Sequence, residues 1–303
     1  TSLLWIFAIL AFILSAIIDN LTATIVLISL LQKIIRDRKM RLWFAGLIVI
    51  AANAGGAFSP IGDVTTTMLW IANKVTTGYL FAYLLLPSLV CMILPTFIAS
   101  KLAVFKGELE MDTSKAEPAG RFSGTMLYLG LAAIIFVPIF KMATHLPPYV
   151  GMMLSLGIVA IFAEIFSASK FSLSKLDKEN DEDQVHHSPV HHSLSKIELP
   201  SILFFLGILM AVAALESLGV LFGFAGWLKV STPALGTEVS STGISDLVVL
   251  LFGVGSAIID NVPLVAASLG MFSEPMDHQL WHFIAYSAGT GGSMLIIGSA
   301  AGV

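Results

Sequence analysis

Four long apolar runs constrain the fold of this chain more than any other feature. They lie at residues 79–100, 122–140, 148–168 and 200–228. Each is close to or longer than the length of about 20 residues that an α-helix needs to cross the hydrocarbon core of a bilayer. Charged residues make up only 12% of the chain, whereas soluble domains carry about 25%. The sequence therefore predicts an all-α polytopic membrane protein, because it lacks the short alternating segments of a membrane β-barrel.

The segments around these runs predict two further kinds of helix. Residues 1–34 and 243–273 each indicate two helical arms, which meet at Asp19-Asn20 and Asp260-Asn261. Two other segments contain glycine-rich interruptions and predict broken helices, at residues 42–75 and 279–303. Continuous spans are expected at residues 79–105, 122–141, 148–167 and 200–229. The polar, charged and His-rich segment 168–199 is typical of a solvated loop.

The two-armed and broken segments occur as a pair that is repeated. The hexapeptide SAIIDN stands at residues 15–20 and again at 256–261, and each copy is followed by a glycine-rich stretch, at 53–63 and 289–299. Three glycines and an isoleucine recur between these stretches at one constant offset. An odd number of expected crossings separates the copies, so they face opposite sides of the membrane. This pattern predicts an inverted repeat with two re-entrant hairpins and two discontinuous transmembrane helices, an architecture used by secondary transporters.

The repeat predicts three divisions of the chain. The first repeat covers residues 1–105, linking spans and a charged His-rich cytoplasmic loop cover 106–199, and the second repeat covers 200–303. After the second glycine-rich stretch only a few residues follow, so we expect the second repeat to be truncated at the C-terminus. The apolar segment that starts at Thr1 has no initiator methionine and lacks the basic region and the cleavage site of a signal peptide. We therefore expect that further chain precedes Thr1.

The distribution of lysine and arginine predicts the orientation. With the first two-armed element starting and ending in the cytoplasm, the 16 basic residues divide 13 to 3 in favour of the cytoplasmic side. The three expected on the outer side are Lys74, Lys141 and Lys229. The positive-inside rule favours this orientation over its reverse.

The glycine-rich stretch after the first SAIIDN carries the chemistry of a cation site. Glycines and a proline within NAGGAFSPIGDVTTT make a continuous helix unfavourable. Unwound backbone at membrane depth is tolerated only inside protein or beside a wet cavity. Its carbonyls, with Asn53, Asp63, Thr65 and Thr66, form a dense set of oxygen donors that suits a small hard cation. The alternative is a proline–glycine kink that only helps helices to pack.

Three acids within these motifs indicate that the substrate is a cation. Asp19, Asp63 and Asp260 are placed there without a lysine, arginine or histidine at comparable depth. The alternative is that each aspartate serves merely as a helix N-cap. Asparagine or serine would cap equally well and would avoid the cost of a charge, which is about 2.5–3.5 kcal/mol near the bilayer centre. Removal from water favours the protonated form of a carboxylate, so protons and a metal cation can compete for it.

These motifs also carry a resemblance to a known family. The words SAIIDNLTAT, NAGGAFSPIGDVTT, SAIIDN and SAGTGG resemble those of NhaD-type sodium/proton antiporters of the ion transporter superfamily. The resemblance implies sodium/proton exchange by alternating access, a role in pH homeostasis, and a moving transport domain on a scaffold. It implies proton coupling through the three aspartates and a cation site at Asp19, Asn20, Asn53, Asp63, Thr65, Thr66, Asp260 and Asn261, with Ser15 and Ser256 beside them. Residue 299 is serine where the first copy has Asp63, so the two halves are not equivalent.

The resemblance implies neither an enzymatic reaction nor a cofactor. Its expected partners are the lipid bilayer, Na⁺ or Li⁺ and protons, with no nucleic acid, and a homodimer is an open alternative. A bacterial cytoplasmic membrane is the expected location, with an organelle envelope as the alternative. Three features stay without an assigned role: Glu216, Glu164 and the histidines at 186, 187, 191 and 192.

Two other functions compete with the antiporter. A related carrier, such as a sodium-coupled dicarboxylate symporter or an arsenite permease, would share the fold, although a dicarboxylate would call for a cationic side chain. An intramembrane aspartyl protease would use Asp63 and Asp19 as a pair of acids. Such a protease would have no use for a second copy of the acid motif.

Overall fold

The structure is a computed structural model, and the described part of the chain is helical apart from its connecting segments. The structure describes residues 2–35, 37–105, 123–144, 146, 148–177, 199–231, 236–239, 242–295, 298 and 302. The helices are α1 (Ser2–Ile17), α2 (Asn20–Ile34), α3 (Arg38–Gly56), α4 (Val64–Ile71), α5 (Thr77–Lys101), α6 (Ser123–Thr144), α7 (Pro148–Asp177), α8 (Leu199–Ser217), α9 (Val220–Ser231), α10 (Asp246–Ile259), α11 (Asn261–Met271) and α12 (Gln279–Gly291). A short 3₁₀ helix, Ala103–Phe105, follows α5.

The two-armed elements expected around the Asp-Asn pairs are confirmed. Asp19 separates α1 from α2 and caps α2, because its carboxylate accepts from the Thr22 backbone N–H at 2.7 Å. Asp260 separates α10 from α11 with a φ of 88°, a conformation that non-glycine residues rarely adopt. Its carboxylate accepts from the Asn261 N–H at 2.8 Å, which stabilises the sharp turn.

The broken helix expected at residues 42–75 is also confirmed, as α3, a break at 57–63, and α4. Two threonine hydroxyls replace lost backbone donors within the break. Thr66 Oγ1 lies 2.7 Å from the Ser59 carbonyl oxygen, and Thr67 Oγ1 lies 2.9 Å from that of Pro60. Carbonyls without a helical partner are costly inside a membrane, so these hydroxyls explain how the chain can unwind here.

One expected span is wrong. Residues 200–229 were predicted to form a continuous helix, but α8 and α9 are bent by 70° between Ser217 and Val220. Gly219 takes a φ of +71°, which ends one helix and begins the next. A single glycine within an apolar run does not signal a bend, because glycine is frequent in membrane helices.

The remaining spans are confirmed as α5, α6 and α7. These helices are each long and apolar enough to cross a membrane, and the bent pair α8 and α9 passes the same test of length and hydropathy. The chain is therefore an integral, multi-pass membrane protein. Of the second broken helix, expected at 279–303, the structure describes α12 and a turn at 292–295, and most of the rest lies outside the described residues.

The chain divides into two compact units. One comprises residues 1–115 and 207–303, and the other comprises 116–206, in which α6 packs on α7. In the first unit α3 packs against α1, α2 and α5, and α12 packs against α10, α11, α4, α5 and α3. Both central helices bury small residues close to their C-terminal ends, including Ala51 and Ala52 in α3 and Ala285 and Ala288 in α12. Small residues let membrane helices approach closely, which is how α3 and α12 come to lie at the centre.

A clasp joins the loop after α4 to the loop before α12. The Asp277 N–H donates to the Lys74 carbonyl oxygen at 2.8 Å, and the Asp277 carboxylate accepts from the Thr76 N–H at 2.7 Å. Lys74 Nζ donates to the Glu274 carbonyl oxygen at 3.1 Å and lies 4.8 Å from the centroid of the Trp281 ring. These contacts connect segments that are about 200 residues apart in sequence.

Candidate functional site

The two copies of the repeated motif make the same contacts with their broken helices. In the first copy the Ser15 hydroxyl donates to the Ala52 carbonyl oxygen at 2.6 Å. In the second copy the Ser256 hydroxyl lies 3.1 Å from the carbonyl oxygen of Ala288, and it also lies 2.7 Å from that of Gly253. All of these hydroxyls are fully buried. The serine of each SAIIDN copy therefore holds one helix on another: Ser15 holds α1 on α3, and Ser256 holds α10 on α12.

The glycines of the two copies are also equivalent in their surroundings. A Cβ atom on Gly55 would overlap the Phe12 carbonyl group, and a Cβ atom on Gly291 would overlap the Gly253 carbonyl group. Phe12 and Gly253 each stand three residues before the serine of their SAIIDN copy. The repeat seen in the sequence is thus a repeat of backbone-to-backbone packing.

Asn20 and Asn53 form the polar contact of the first copy. The Asn20 amide donates to Asn53 Oδ1 at 2.8 Å, and the Asn20 backbone N–H donates to the Gly62 carbonyl oxygen at 3.0 Å. Both side chains are buried. These bonds place the tip between α1 and α2 against the break that follows α3.

Asp63 lies where the two copies meet. It is 2% exposed, it caps α4 by accepting from the Thr65 N–H at 3.3 Å, and its Oδ2 accepts from the Asn261 amide at 3.2 Å. Asn261 belongs to the second copy and is itself buried. Asp260 lies near enough to interact electrostatically with Asp63. The structure therefore brings the acid of the first break together with the Asp-Asn pair of the second copy.

A hydroxyl and a glycine complete the surroundings of Asp63. Thr65 Oγ1 is fully buried and lacks a hydrogen-bond partner of good geometry, although it lies beside the Asp63 carboxylate. Gly289 of α12 faces the same point, since a Cβ atom there would lie 3.5 Å from Asp63 Oδ2 and 3.6 Å from Thr65 Oγ1. Because Gly289 has no side chain, a small space remains beside the oxygens of Asp63 and Thr65.

Asp19 is placed differently from the other two aspartates. Its carboxylate oxygens accept from the backbone N–H and the hydroxyl of Thr22, each at 2.7 Å, and its side chain is half-buried. Within the described ranges, no group of three or more His, Cys, Asp or Glu side chains is arranged to hold a metal ion. The structure thus brings Asp63 and Asp260 near each other and leaves Asp19 with its own helix.

The hydroxyls of Thr66 and Ser256 face backbone carbonyls. Thr66 Oγ1 lies within 3.4 Å of the carbonyl oxygens of Gly56, Ser59 and Asp63, and Ser256 faces those of Gly253 and Ala288. Both contacts hold the breaks in shape. A role of these hydroxyls as cation ligands stays a prediction.

Gly289 lies beside Asp63, although the sequence analysis did not single it out. It stands at the position of the second copy that corresponds to Asn53, by the offset that relates the other glycines of the motif. A glycine in place of a buried asparagine was the available signal. Of the residues without an assigned role, Glu216 lies on an exposed part of α8 and its carboxyl group approaches Gly270. The four loop histidines lie outside the described residues.

Comparison with known proteins places these motifs in a family. A family model described as citrate transporter matches residues 1–282. The chain is 42% identical over 310 residues to Sodium/proton antiporter 1 of Arabidopsis thaliana, which covers 100% of the chain and 50% of that protein. It is 39% identical to Sodium/proton antiporter 2 of the same plant, over 99% of the chain and 68% of that protein. It is 34% identical to the Na(+)/H(+) antiporter NhaD of Vibrio parahaemolyticus, over 99% of the chain and 72% of that protein.

The chain thus spans between half and about three quarters of the length of these relatives. The match to them runs through both Asp-Asn tips and both glycine-rich stretches, because it covers nearly the whole chain. These relatives are named as antiporters, which agrees with the expectation of a transporter. The chain belongs to the NhaD-type sodium/proton antiporter family of the ion transporter superfamily.

Proposed function

We propose that the protein is a secondary active transporter that exchanges Na⁺ or Li⁺ for H⁺ across a membrane by alternating access. The observation that carries the proposal is the hydrogen bond from the Asn261 amide to Asp63 Oδ2. It joins the two copies of the motif at a buried acid, which is where a transported cation and a proton would compete. The names of the relatives from Arabidopsis thaliana and Vibrio parahaemolyticus support the same activity.

Coupling follows from the chemistry of one carboxylate. A cation bound at Asp63 would take the place of the proton that a buried carboxyl group carries when no cation neutralises it. Asp260 would contribute a second negative charge near the same position. Asp19, Asn20, Asn53, Thr65, Thr66, Ser256 and Asn261 complete the proposed cation and proton pathway. If Asp63 is exposed alternately to the two sides, competition alone is enough for exchange.

The proposal includes an inverted-repeat architecture. The matching contacts of Ser15 with Ala52 and of Ser256 with Ala288 support two related halves. The lengths of α1, α2, α10 and α11, between 11 and 16 residues, suit re-entrant hairpin arms, which are too short to cross a bilayer. The repeats would comprise residues 1–105 and 200–303, with the linking spans and loop between them.

The experiment is sodium-driven proton movement in proteoliposomes, followed with a pH-sensitive dye. We expect Asp63→Asn to abolish exchange, because an amide neither carries the charge nor exchanges the proton. Asp37→Asn is the matched control, since Asp37 caps α3 at an exposed position and asparagine is an equally good cap. Full exchange by Asp63→Asn would show that the site has been misassigned.

A citrate or dicarboxylate carrier is the second candidate, because the matching family model carries the description citrate transporter. A carboxylate substrate calls for cationic groups or helix N-termini that are free of acids. The side chains described around Asp63 are the uncharged Thr65 and Asn261 and the acidic Asp260. Citrate-dependent current without proton counterflow in the same proteoliposomes would favour this candidate.

The location and the assembly belong to the proposal as well. We propose a bacterial cytoplasmic membrane, with an organelle envelope as the alternative, and relatives from bacteria and from a plant fit either location. A homodimer is the assembly to test. Fractionation of the native membranes and mass photometry of the purified protein measure these two properties.

A further inference from the structure

We propose that the missing side chain at Gly289 leaves the space in which the transported cation lies against Asp63 Oδ2 and Thr65 Oγ1, and that this space limits the size of the cation. The inference rests on the proposed cation exchange and adds the position and the size limit of the ion. It assigns Gly289 as a specificity-determining residue.

The space is defined by three distances. A methyl group on Gly289 would lie 3.4 Å from Ala57 Cβ, 3.5 Å from Asp63 Oδ2 and 3.6 Å from Thr65 Oγ1. These are ordinary van der Waals separations, so an added methyl group would fit there without moving its neighbours. Two of the three nearest atoms are oxygens, and a volume bordered by a carboxylate and a hydroxyl suits a hard cation better than a methyl group.

The polar atoms around this space are incompletely satisfied. Thr65 Oγ1 is fully buried without a hydrogen-bond partner of good geometry, and buried polar atoms almost always have a partner in the protein, in water or in an ion. Asp63 Oδ2 accepts from the Asn261 amide and can accept further contacts. A cation between Asp63 and Thr65 would give the Thr65 hydroxyl oxygen a partner and would use the remaining acceptor capacity of Asp63 Oδ2.

The first copy shows what a side chain at the corresponding position does. Asn53 projects toward the tip of its own hairpin and accepts from the Asn20 amide at 2.8 Å. At Gly289 there is no such acceptor, and the equivalent amide of Asn261 reaches Asp63 instead. The difference between Asn53 and Gly289 therefore directs the polar groups of the second copy toward a single position beside Asp63.

The size limit follows from the volume that a side chain at residue 289 would take up. Oxygen ligands lie about 2.3–2.6 Å from Ca²⁺, an ion that is close to Na⁺ in size. A methyl group on Gly289 of α12 would occupy part of the space beside Asp63 and Thr65 and leave less room for the ion. The smaller Li⁺ would tolerate that change better than Na⁺.

The first test is Thr65→Val, with thermal unfolding of the purified protein measured with and without NaCl, and with choline chloride at equal ionic strength. The Thr65 hydroxyl makes no hydrogen bond of good geometry, so valine, which has a similar shape, should change the stability in choline chloride little. The Na⁺-dependent rise in unfolding temperature that ligand binding produces is lost in Thr65→Val and kept in the wild type. Thr65→Val with a full Na⁺-dependent rise overturns the proposal.

The second test is Gly289→Ala, with Na⁺-driven and Li⁺-driven proton movement compared in proteoliposomes. The preference for Li⁺ over Na⁺ rises about tenfold or more, since one methyl group in a binding site contributes discrimination of this order. Gly46→Ala is the matched control, because a Cβ atom there has no neighbour within 4 Å. An unchanged ratio in Gly289→Ala overturns the proposal.

The two readouts separate this inference from the proposed function. A wild-type protein that shows the Na⁺-dependent rise in unfolding temperature but no proton movement contradicts the exchange and leaves the cation position supported. A wild-type protein that exchanges Na⁺ for H⁺ while Thr65→Val and Gly289→Ala both behave like the wild type contradicts the cation position alone.

Discussion

At the scale of single residues, one hydrogen bond separates the two asparagines of the repeated hexapeptide. Asn20 bonds to Asn53 within its own half, whereas Asn261 bonds to Asp63 of the other half. The same residue in the same motif therefore has two different tasks. We infer that Asn20 holds a break in shape and that Asn261 positions the carboxylate.

Asn261→Ala should impair exchange more than Asn20→Ala does. Hydrogen bonds to charged groups contribute about 1.5–3 kcal/mol, which corresponds to a loss of about 10- to 100-fold in apparent affinity for Na⁺. The measurement is the Na⁺ dependence of proton movement for both variants in proteoliposomes. Equal losses in the two variants would contradict the assignment of different tasks.

The sequence predicted these residues better than it predicted their pairing. Asp19, Asp63 and Asp260 stand out because an acid is unusual within an apolar segment. The bond between Asn261 and Asp63 spans 198 positions, and no local pattern encodes a contact of that separation. Thr22 could have been recognised as the partner of Asp19, because a threonine three residues after a capping aspartate commonly bonds to it.

At the scale of helices, close backbone contact holds each hairpin on its broken helix. Gly55 meets the Phe12 carbonyl group, and Gly291 meets the Gly253 carbonyl group. In a membrane, such contact supplies the packing energy that the hydrophobic effect supplies in water. The two contacts are equivalent, so substitutions there should have equivalent effects.

Gly55→Ala and Gly291→Ala should each destabilise the protein by about 1–3 kcal/mol, because backbone atoms must move to admit the new Cβ. Thermal unfolding in detergent measures the effect. Gly255→Ala is the matched control, since its Cβ would make ordinary contact with a flexible leucine, Leu264, at 3.4 Å. A stability near that of the wild type in either glycine variant would contradict the close packing.

The bend between α8 and α9 gives a second test of helix structure. Gly219→Ala should lower the free energy of unfolding by about 1–2 kcal/mol, because its φ of +71° is unfavourable for alanine even though the added Cβ has open space. Gly223→Ala, in the helical part of α9 and also without neighbours, should be neutral or stabilising. Thermal unfolding of both variants decides whether the bend is a property of Gly219.

The helices show which patterns can be recognised in advance. The tips at Asp19-Asn20 and Asp260-Asn261 and the glycine-rich break before Asp63 can be predicted, because polar residues, proline and glycine act locally on helix ends. Capping by these aspartates, considered only as an alternative to a cation site, is what the structure shows at both tips. The bend at Gly219 was missed because it lies in an apolar run of the length of a full span. Hydropathy measures whether a segment can cross a membrane, and it is silent on whether the segment does so as one helix.

At the scale of the molecule, the two halves should face opposite sides of the membrane. Lys39 lies at the start of α3 and Met276 lies just before α12, and both are exposed. In a background of Cys91→Ser, which removes the only cysteine of the sequence, we expect Lys39→Cys and Met276→Cys to react with a membrane-impermeant thiol reagent from opposite sides. Reaction from the same side would show that the repeat is direct rather than inverted.

The clasp around Lys74 and Asp277 has a consequence for how such a molecule could move. It ties the loop that ends the first broken helix to the loop that starts the second. Separation of the halves at this end would strip Lys74 from the face of Trp281 and leave the Asp277 carboxylate without its amide donor. A conformational change that moves the two loops together as one rigid body keeps all of these contacts. Such a movement therefore costs less free energy than one that separates the two halves at this end.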